Sequence, residues 1–190
     1  THHFRLAGAR TLVADIGGAT TELTTGRGDA IVDTASVPLG ALALTEAHLH
    51  DDRPGEPAIT AVVAAVDAVL ADVRPLDAAR IGGMSFVASG GTATALAAID
   101  LGLDRHEPER VHGHRLGGDV VAALATRLLR MPVAERAQLG GLDPGRASIL
   151  PAGALVLDGI FRHARAREVC VSDHGVRHAY LRERLAAIGI

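Results

Sequence analysis

TLVADIGGATTELTTG, residues 11–26, starts as an apolar run, ends that run in Asp15, and turns at once through Gly17 and Gly18. A short apolar segment closed by glycines reads as a buried strand over 11–16. Residues 20–26 alternate enough for a second strand. Gly26-Arg27-Gly28-Asp29 reads as a turn, and AIVDTASV (30–37) as a third strand. Two short connections in succession predict an antiparallel meander rather than a strand–helix–strand opening. A tight hairpin of this kind brings Glu22, seven residues after Asp15, back toward the same cleft.

Working outward, Pro38-Leu39-Gly40 opens a helix over 41–49, and HDDRPGEP (50–57) is a polar loop. Ile59, Val62, Val63, Val66, Val69, Leu70 and Val73 repeat with helical spacing and predict an amphipathic helix over 58–73. MSFVASGGT (84–92) reads as a strand and a glycine-rich turn, followed by a helix over 93–101. A loop rich in His, Arg and Gly covers 102–117. Helices over 119–130 and 151–165 flank a turn region at 140–148. A strand over 168–172 and a closing helix over 176–187 finish the chain. This order predicts an α/β domain, a mixed sheet with helices outside it.

Composition narrows the chemistry. All 19 basic residues are Arg; without Lys, a Walker A phosphate loop and lysine Schiff-base chemistry are excluded. Cys170 is the sole cysteine, which rules out an internal disulfide. A net charge of −3 gives no general attraction to nucleic acid or anionic membrane, and three Phe and one Tyr leave little material for stacking on bases. No apolar run approaches the ~20 residues of a membrane span. The expectation is a cytoplasmic protein with neither nucleic acid nor membrane as partner.

Three glycine-bearing turns end strands: Asp15-Ile16-Gly17-Gly18, Ser89-Gly90-Gly91-Thr92 and Ser172-Asp173-His174-Gly175. Ligand sites of α/β sheets gather at such strand ends. Glycine lets backbone approach an anion, and exposed N–H groups at a helix start favour phosphate. Thr20, Thr21 and Thr92 add hydroxyls. Asp15 and Glu22 offer oxygen ligands to Mg²⁺, a hard cation that pairs with phosphate. The plain alternatives are a hairpin turn with solvent-facing charges at 15–22 and helix caps at Thr92 and Ser172-Asp173. Arg146 and Arg177 follow turns and suit either a phosphate clamp or a surface salt bridge. The His48/His50 and His112/His114 pairs read as solvated, Asp51-Asp52 as a loop charge pair, and Cys170 as core.

The motifs DIGGATTEL (15–23), SVPLGALALTE (36–46), ASGGTATALA (88–97), GLDPGRASILPAGALVL (141–157) and VSDHGVRHAYL (171–181) resemble, in order, the second half of the Ppx/GppA family. These are exopolyphosphatases and guanosine pentaphosphate phosphohydrolases of the actin-like ATPase superfamily. The resemblance implies a ribonuclease-H-like lobe, the second of two that enclose an active site. It implies hydrolysis of a terminal phosphoanhydride of polyphosphate or pppGpp, releasing orthophosphate, with Mg²⁺ or another divalent cation. By the same resemblance, Asp15 supports the metal and Glu22 positions metal or water. Gly17, Gly18, Ala19 and Thr20 bind phosphate, and Gly90, Gly91 and Thr92 line the phosphate channel. A longer protein with an N-terminal lobe is expected, and a homodimer is compatible with it.

The sequence departs from the family pattern at Ala19, where a third Gly is usual, and at Ala43, where the family has Arg. Ser148 stands in place of Asp and His178 in place of Glu. The family's further catalytic Glu precedes the DIGG motif, whereas none of the fourteen residues before Asp15 is acidic. These departures keep two other readings open: a non-catalytic lobe that binds polyphosphate or (p)ppGpp, and a lobe of an actin-like ATPase or sugar kinase.

Overall fold

The computed structural model describes residues 8–80, 83–175 and 184–185. It opens with β1 (Arg10–Ile16), β2 (Thr21–Arg27) and β3 (Ala30–Val37). Helices α1 (Ala41–His48), α2 (Glu56–Leu70) and α3 (Arg74–Arg80) lead to β4 (Met84–Ser89), which passes directly into α4 (Gly90–Asp100). Then come α5 (Pro108–Val111), β5 (Arg115–Gly117), α6 (Gly118–Arg130) and α7 (Val133–Arg136). A 3-10 turn at Pro144–Arg146, α8 (Leu150–Ala164) and β6 (Glu168–Val171) follow. The closing helix expected over 176–187 falls, apart from Arg184 and Leu185, outside the described residues, as do Arg177 and His178.

The sheet has the order β3-β2-β1-β4-β6-β5. The first three strands form the expected antiparallel meander, β1, β4 and β6 run parallel, and β5 runs antiparallel to β6. The mixed α/β sheet anticipated from the sequence is therefore present. β1 lies inside it, with Leu12, Ala14 and Ile16 all buried. β2 alternates, burying Thr21, Leu23 and Thr25 and turning the residues between them outward, as a strand covered on one face must.

The hub is α8. It is apolar nearly all round and buries residues on every side, as a helix wholly inside a core does. The helices α1, α2, α3, α4 and α6 all pack on it. Phe161 of α8 meets Phe86 of β4 edge to face, centroids 5.3 Å apart, and so joins helix layer to sheet.

Several expected boundaries move. The helix expected over 58–73 is α2, beginning at Glu56 with Pro57 in its first turn, and it stops at Leu70. The chain turns through Ala71-Asp72 and restarts as α3, because Pro75 is tolerated in a first turn but not in a helix interior. The helix expected from 93 begins at Gly90, so Gly90 and Gly91 belong to α4 itself. The loop expected over 102–117 contains α5 and the three-residue β5, whose one buried side chain, Leu116, is too weak a pattern to announce a strand. Asp52, expected as part of a loop charge pair, accepts from the Val133 N–H at 2.6 Å at the start of α7 and faces the buried Arg136. No helix among the described residues is long and apolar enough to cross a membrane.

Candidate active site

The β1–β2 hairpin sets the first two carboxylates. Asp15 and Glu22 are cross-strand partners, so both side chains leave the same face of the sheet. The turn between them is closed by the Gly17 N–H donating to the Thr20 carbonyl at 2.9 Å. Glu22 is exposed yet held in place. Thr20 Oγ1 donates to its Oε1 at 2.8 Å, and Ser36 Oγ, its register partner on β3, donates to the same oxygen at 3.0 Å.

A helix start seats the turn from below. The N–H of Ala41 donates to the Gly17 carbonyl, and those of Leu42 and Ala43 donate to the Gly18 carbonyl, at 2.9–3.0 Å. Turn and helix thus satisfy each other's open groups. Gly40 makes the approach possible, since a Cβ there would overlap the Gly18 carbonyl and Ala19. Thr21, fully buried, donates to the Leu39 carbonyl at 2.5 Å and pins the same junction.

The second glycine pair meets Asp15 from β4. Asp15 pairs in register with Ser89, whose hydroxyl hydrogen-bonds its carboxylate. Gly90 has φ +87°, and a Cβ on it would lie 2.6 Å from Asp15 Oδ1, so only glycine fits. Burial, and secondarily the Glu22 charge, raise the Asp15 pKa above the ordinary carboxylate value, while Ser89 opposes them.

A cleft of about 480 Å³ opens along these strand ends. It brings together Asp15, Gly17, Gly18, Gly90, Gly91 and Thr92 of the residues anticipated from sequence. Ala19, Thr20 and Glu22 lie outside its lining, on the hairpin beside it. Thr92 is 4% exposed and packs its side chain against Gly153 of α8, so it forms floor rather than mouth. Two further charged residues line the cleft. Arg146, from the 3-10 turn, lays its guanidinium over Gly91, with Asp143 at 3.9 Å. Asp173, just past β6, accepts from His106 Nε2 at 3.0 Å. Arg146 thus lines the cleft and also carries a surface ion pair, the second of its two anticipated settings. The solvated reading of His112/His114 needs correction. His112 is partly buried and stacks on His174 at 4.3 Å, and His114 donates to Asp100 at 2.7 Å.

The donor set suits a hard divalent cation. Asp15 and Glu22 are cross-strand carboxylates flanked by the hydroxyls of Ser89 and Thr20, and a cation between them would offset the repulsion that, after burial, raises Asp15. No cluster of three or more His, Cys, Asp or Glu residues able to hold a metal occurs among the described residues.

The model of the Ppx/GppA phosphatase family matches residues 1–187. The chain belongs to the Ppx/GppA phosphatase family. Exopolyphosphatase 2 of Mycobacterium tuberculosis is 31% identical over 178 residues, covering 90% of this chain and 54% of that protein. A guanosine-5'-triphosphate,3'-diphosphate pyrophosphatase of Aeromonas hydrophila is 32% identical over 170 residues, covering 90% of this chain and 33% of that protein. The chain thus spans between a third and about half of these curated relatives. Among solved structures, an exopolyphosphatase-like protein superposes with a TM-score of 0.86 at 28% identity, over 96% of this chain and 61% of that one. The Aquifex aeolicus family member gives 0.86 at 23% identity, over 99% and 60%, a likeness of fold.

In this Ppx/GppA chain, Gly40 and Ser36 went unread as parts of the candidate site, and Ser89 was read only as part of its glycine turn. Ser36 becomes legible once the β2–β3 register is known, since it falls opposite Glu22. Gly40 carried a signal in Pro-Leu-Gly ahead of a helix, but its reason, the Gly18–Ala19 backbone pressed against it, is tertiary. Asp173 stood in the third glycine-bearing turn, which read either as a ligand-site turn or as a helix cap.

Proposed function

We propose that this chain is the second lobe of a divalent-metal-dependent phosphohydrolase that removes the terminal phosphate of polyphosphate or pppGpp as orthophosphate. The observation that carries the reading is Asp15 facing the Gly90–Gly91 helix start in one cleft, with its register partner Glu22 on the hairpin beside it. In this reading Asp15 and Glu22 hold Mg²⁺ or another divalent cation, which supplies charge neutralisation at the scissile phosphate. Gly17 and Gly18 let phosphate oxygens approach the hairpin, with Ala19 and Thr20 at its tip. Gly90 and Gly91 do the same at α4, over the floor made by Thr92. Arg146 meets the charge that accumulates on the transferred phosphoryl group. Glu22, fixed by Thr20 and Ser36, also orients the attacking water. Water oxygen bonds to the terminal phosphorus, the bridging P–O bond breaks, and the shortened substrate leaves with the electron pair. The acceptor for the water's proton comes from the partner lobe, consistent with relatives about two to three times this chain's length. A cytoplasmic setting suits such substrates.

The test is phosphate release from long-chain polyphosphate with Mg²⁺, using this lobe joined to its native upstream sequence. Wild type should turn over, and Asp15→Ala and Glu22→Ala should each lose about 10²-fold or more. The second reading, a lobe that binds polyphosphate or (p)ppGpp without hydrolysis, draws on Ala43. This exposed first-turn residue of α1 sits beside the phosphate hairpin and lacks the family's cation. Ligand affinity without turnover in the joined wild type would select it.

A further inference from the structure

At the end of the sheet opposite the cleft, β4 and β6 separate. They pair only through Val87–Cys170 and Ala88–Val171, so Met84–Phe86 and Glu168–Val169 share no ladder. Between the parted strands lies a cavity of about 420 Å³. Arg115, Arg165 and Arg167 line it, against a single carboxylate, Glu168. Arg115 is ion-paired with Glu168. Arg165 and Arg167 take part in no ion pair among the described residues, which leaves the cavity with two uncommitted guanidinium groups.

The backbone that presents them is rigid. The Arg165 N–H donates to the Arg162 carbonyl, and that of Ala166 reaches back to the Phe161 carbonyl, closing the end of α8. The Arg167 carbonyl accepts from the Gly118 N–H at 3.0 Å. Arg165 has φ 52° and ψ 34°, and it is the one non-glycine residue with positive φ among the described residues. Arg165 thus ends α8 in the left-handed capping conformation that glycine adopts with least strain.

We propose that this cavity is a second anion site, which binds a phosphate group between Arg165 and Arg167. Guanidinium forks match phosphate oxygens two at a time. The cavity is large enough for a nucleotide or a short oligophosphate, and the open edges of β4 and β6 offer further backbone hydrogen bonds. The site is separate from the cleft and does not depend on the hydrolase reading.

The test titrates sodium tripolyphosphate and, separately, GMP into the chain by calorimetry, at 150 mM salt with EDTA. Salt at that level screens loose attraction to exposed arginines, and EDTA withholds the cation that phosphate binding in the cleft calls for. Arg165→Gly keeps the left-handed turn that glycine prefers, so it should stay folded, with circular dichroism as the check. Either Arg165→Gly or Arg167→Gln should weaken binding tenfold or more, and Arg146→Gln, in the cleft, should leave it unchanged. Cys170, the chain's sole thiol, lines the cavity, so its alkylation should slow when the probe is bound. Preference for tripolyphosphate or for GMP would identify the source of the phosphate. Binding lost in Arg146→Gln but kept in both cavity variants, or no binding of either probe to wild type, would overturn the proposal.

Discussion

Asp15 sits half-buried at the end of β1, with Glu22 across the ladder, and burial followed by the Glu22 charge raises its pKa against the pull of Ser89. An acid whose folded-state pKa is raised stabilises the fold fully only below its unfolded value, near 3.8, and loses that contribution as pH rises through the folded value. In EDTA near pH 7, Asp15→Asn should therefore melt higher than wild type by roughly 1–3 °C. The gap should close as pH is lowered toward 3.8. Mg²⁺ should raise the melting temperature of wild type and leave Asp15→Asn unmoved, because a ligand stabilises only the state that binds it. A wild type that melts no lower than the variant in EDTA, and that Mg²⁺ does not raise, would show that Asp15 is not a strained metal carboxylate. Gly90 is the companion residue. Gly90→Ala combines a strained positive φ with a Cβ at 2.6 Å from Asp15 Oδ1, and should cost about 1–3 kcal/mol in denaturant unfolding.

At the scale of elements, the site depends on two close approaches, one at each glycine-bearing turn. The hairpin rests on the start of α1 through Gly40. Gly40→Ala should destabilise the chain by about 1–3 kcal/mol through overpacking, and should lower activity of the joined protein by shifting the Gly17–Thr20 turn. The second approach is α4 against α8, where Thr92 lies on Gly153. Gly153→Ala would push the two helices apart and carry Gly90–Gly91 away from Asp15. It should reduce kcat more than its melting temperature suggests. By contrast, Leu157→Ala in the buried interior of α8 should cost about 2–5 kcal/mol of stability, measured by chemical unfolding, while activity per folded molecule stays near wild type. Equal loss of specific activity in the Leu157 and Gly153 variants would mean that the α4–α8 contact has no special part in placing the site.

Across the whole molecule, the cleft collects residues from β1, the starts of α1, α4 and α8, the 3-10 turn and the segment after β6, all at one end of the sheet. The strands that deliver them were legible from local pattern. The run ending in Asp15, the glycine turns, and the alternation over 20–26 follow from which residues tolerate burial and which tolerate tight turns, and both are properties of neighbours along the chain. The motif series likewise pointed to Ppx/GppA before any coordinates. β5 was not legible, because three residues with one apolar side chain form a strand only when β6 is already there to pair with. The break between α2 and α3 could have been read from Pro75, but the apolar stripe running on to Val73 outweighed it. What local sequence determined, then, was the hairpin with its facing carboxylates and the glycine-opened helix. Tertiary structure alone decided that Gly40 must be glycine, that Thr92 faces α8, that Arg146 lies over Gly91, and that β4 and β6 part to leave Arg165 and Arg167 around a cavity. Each of these is a contact between segments distant in sequence, set by how α8 packs the layers together, and no spacing within one segment encodes it.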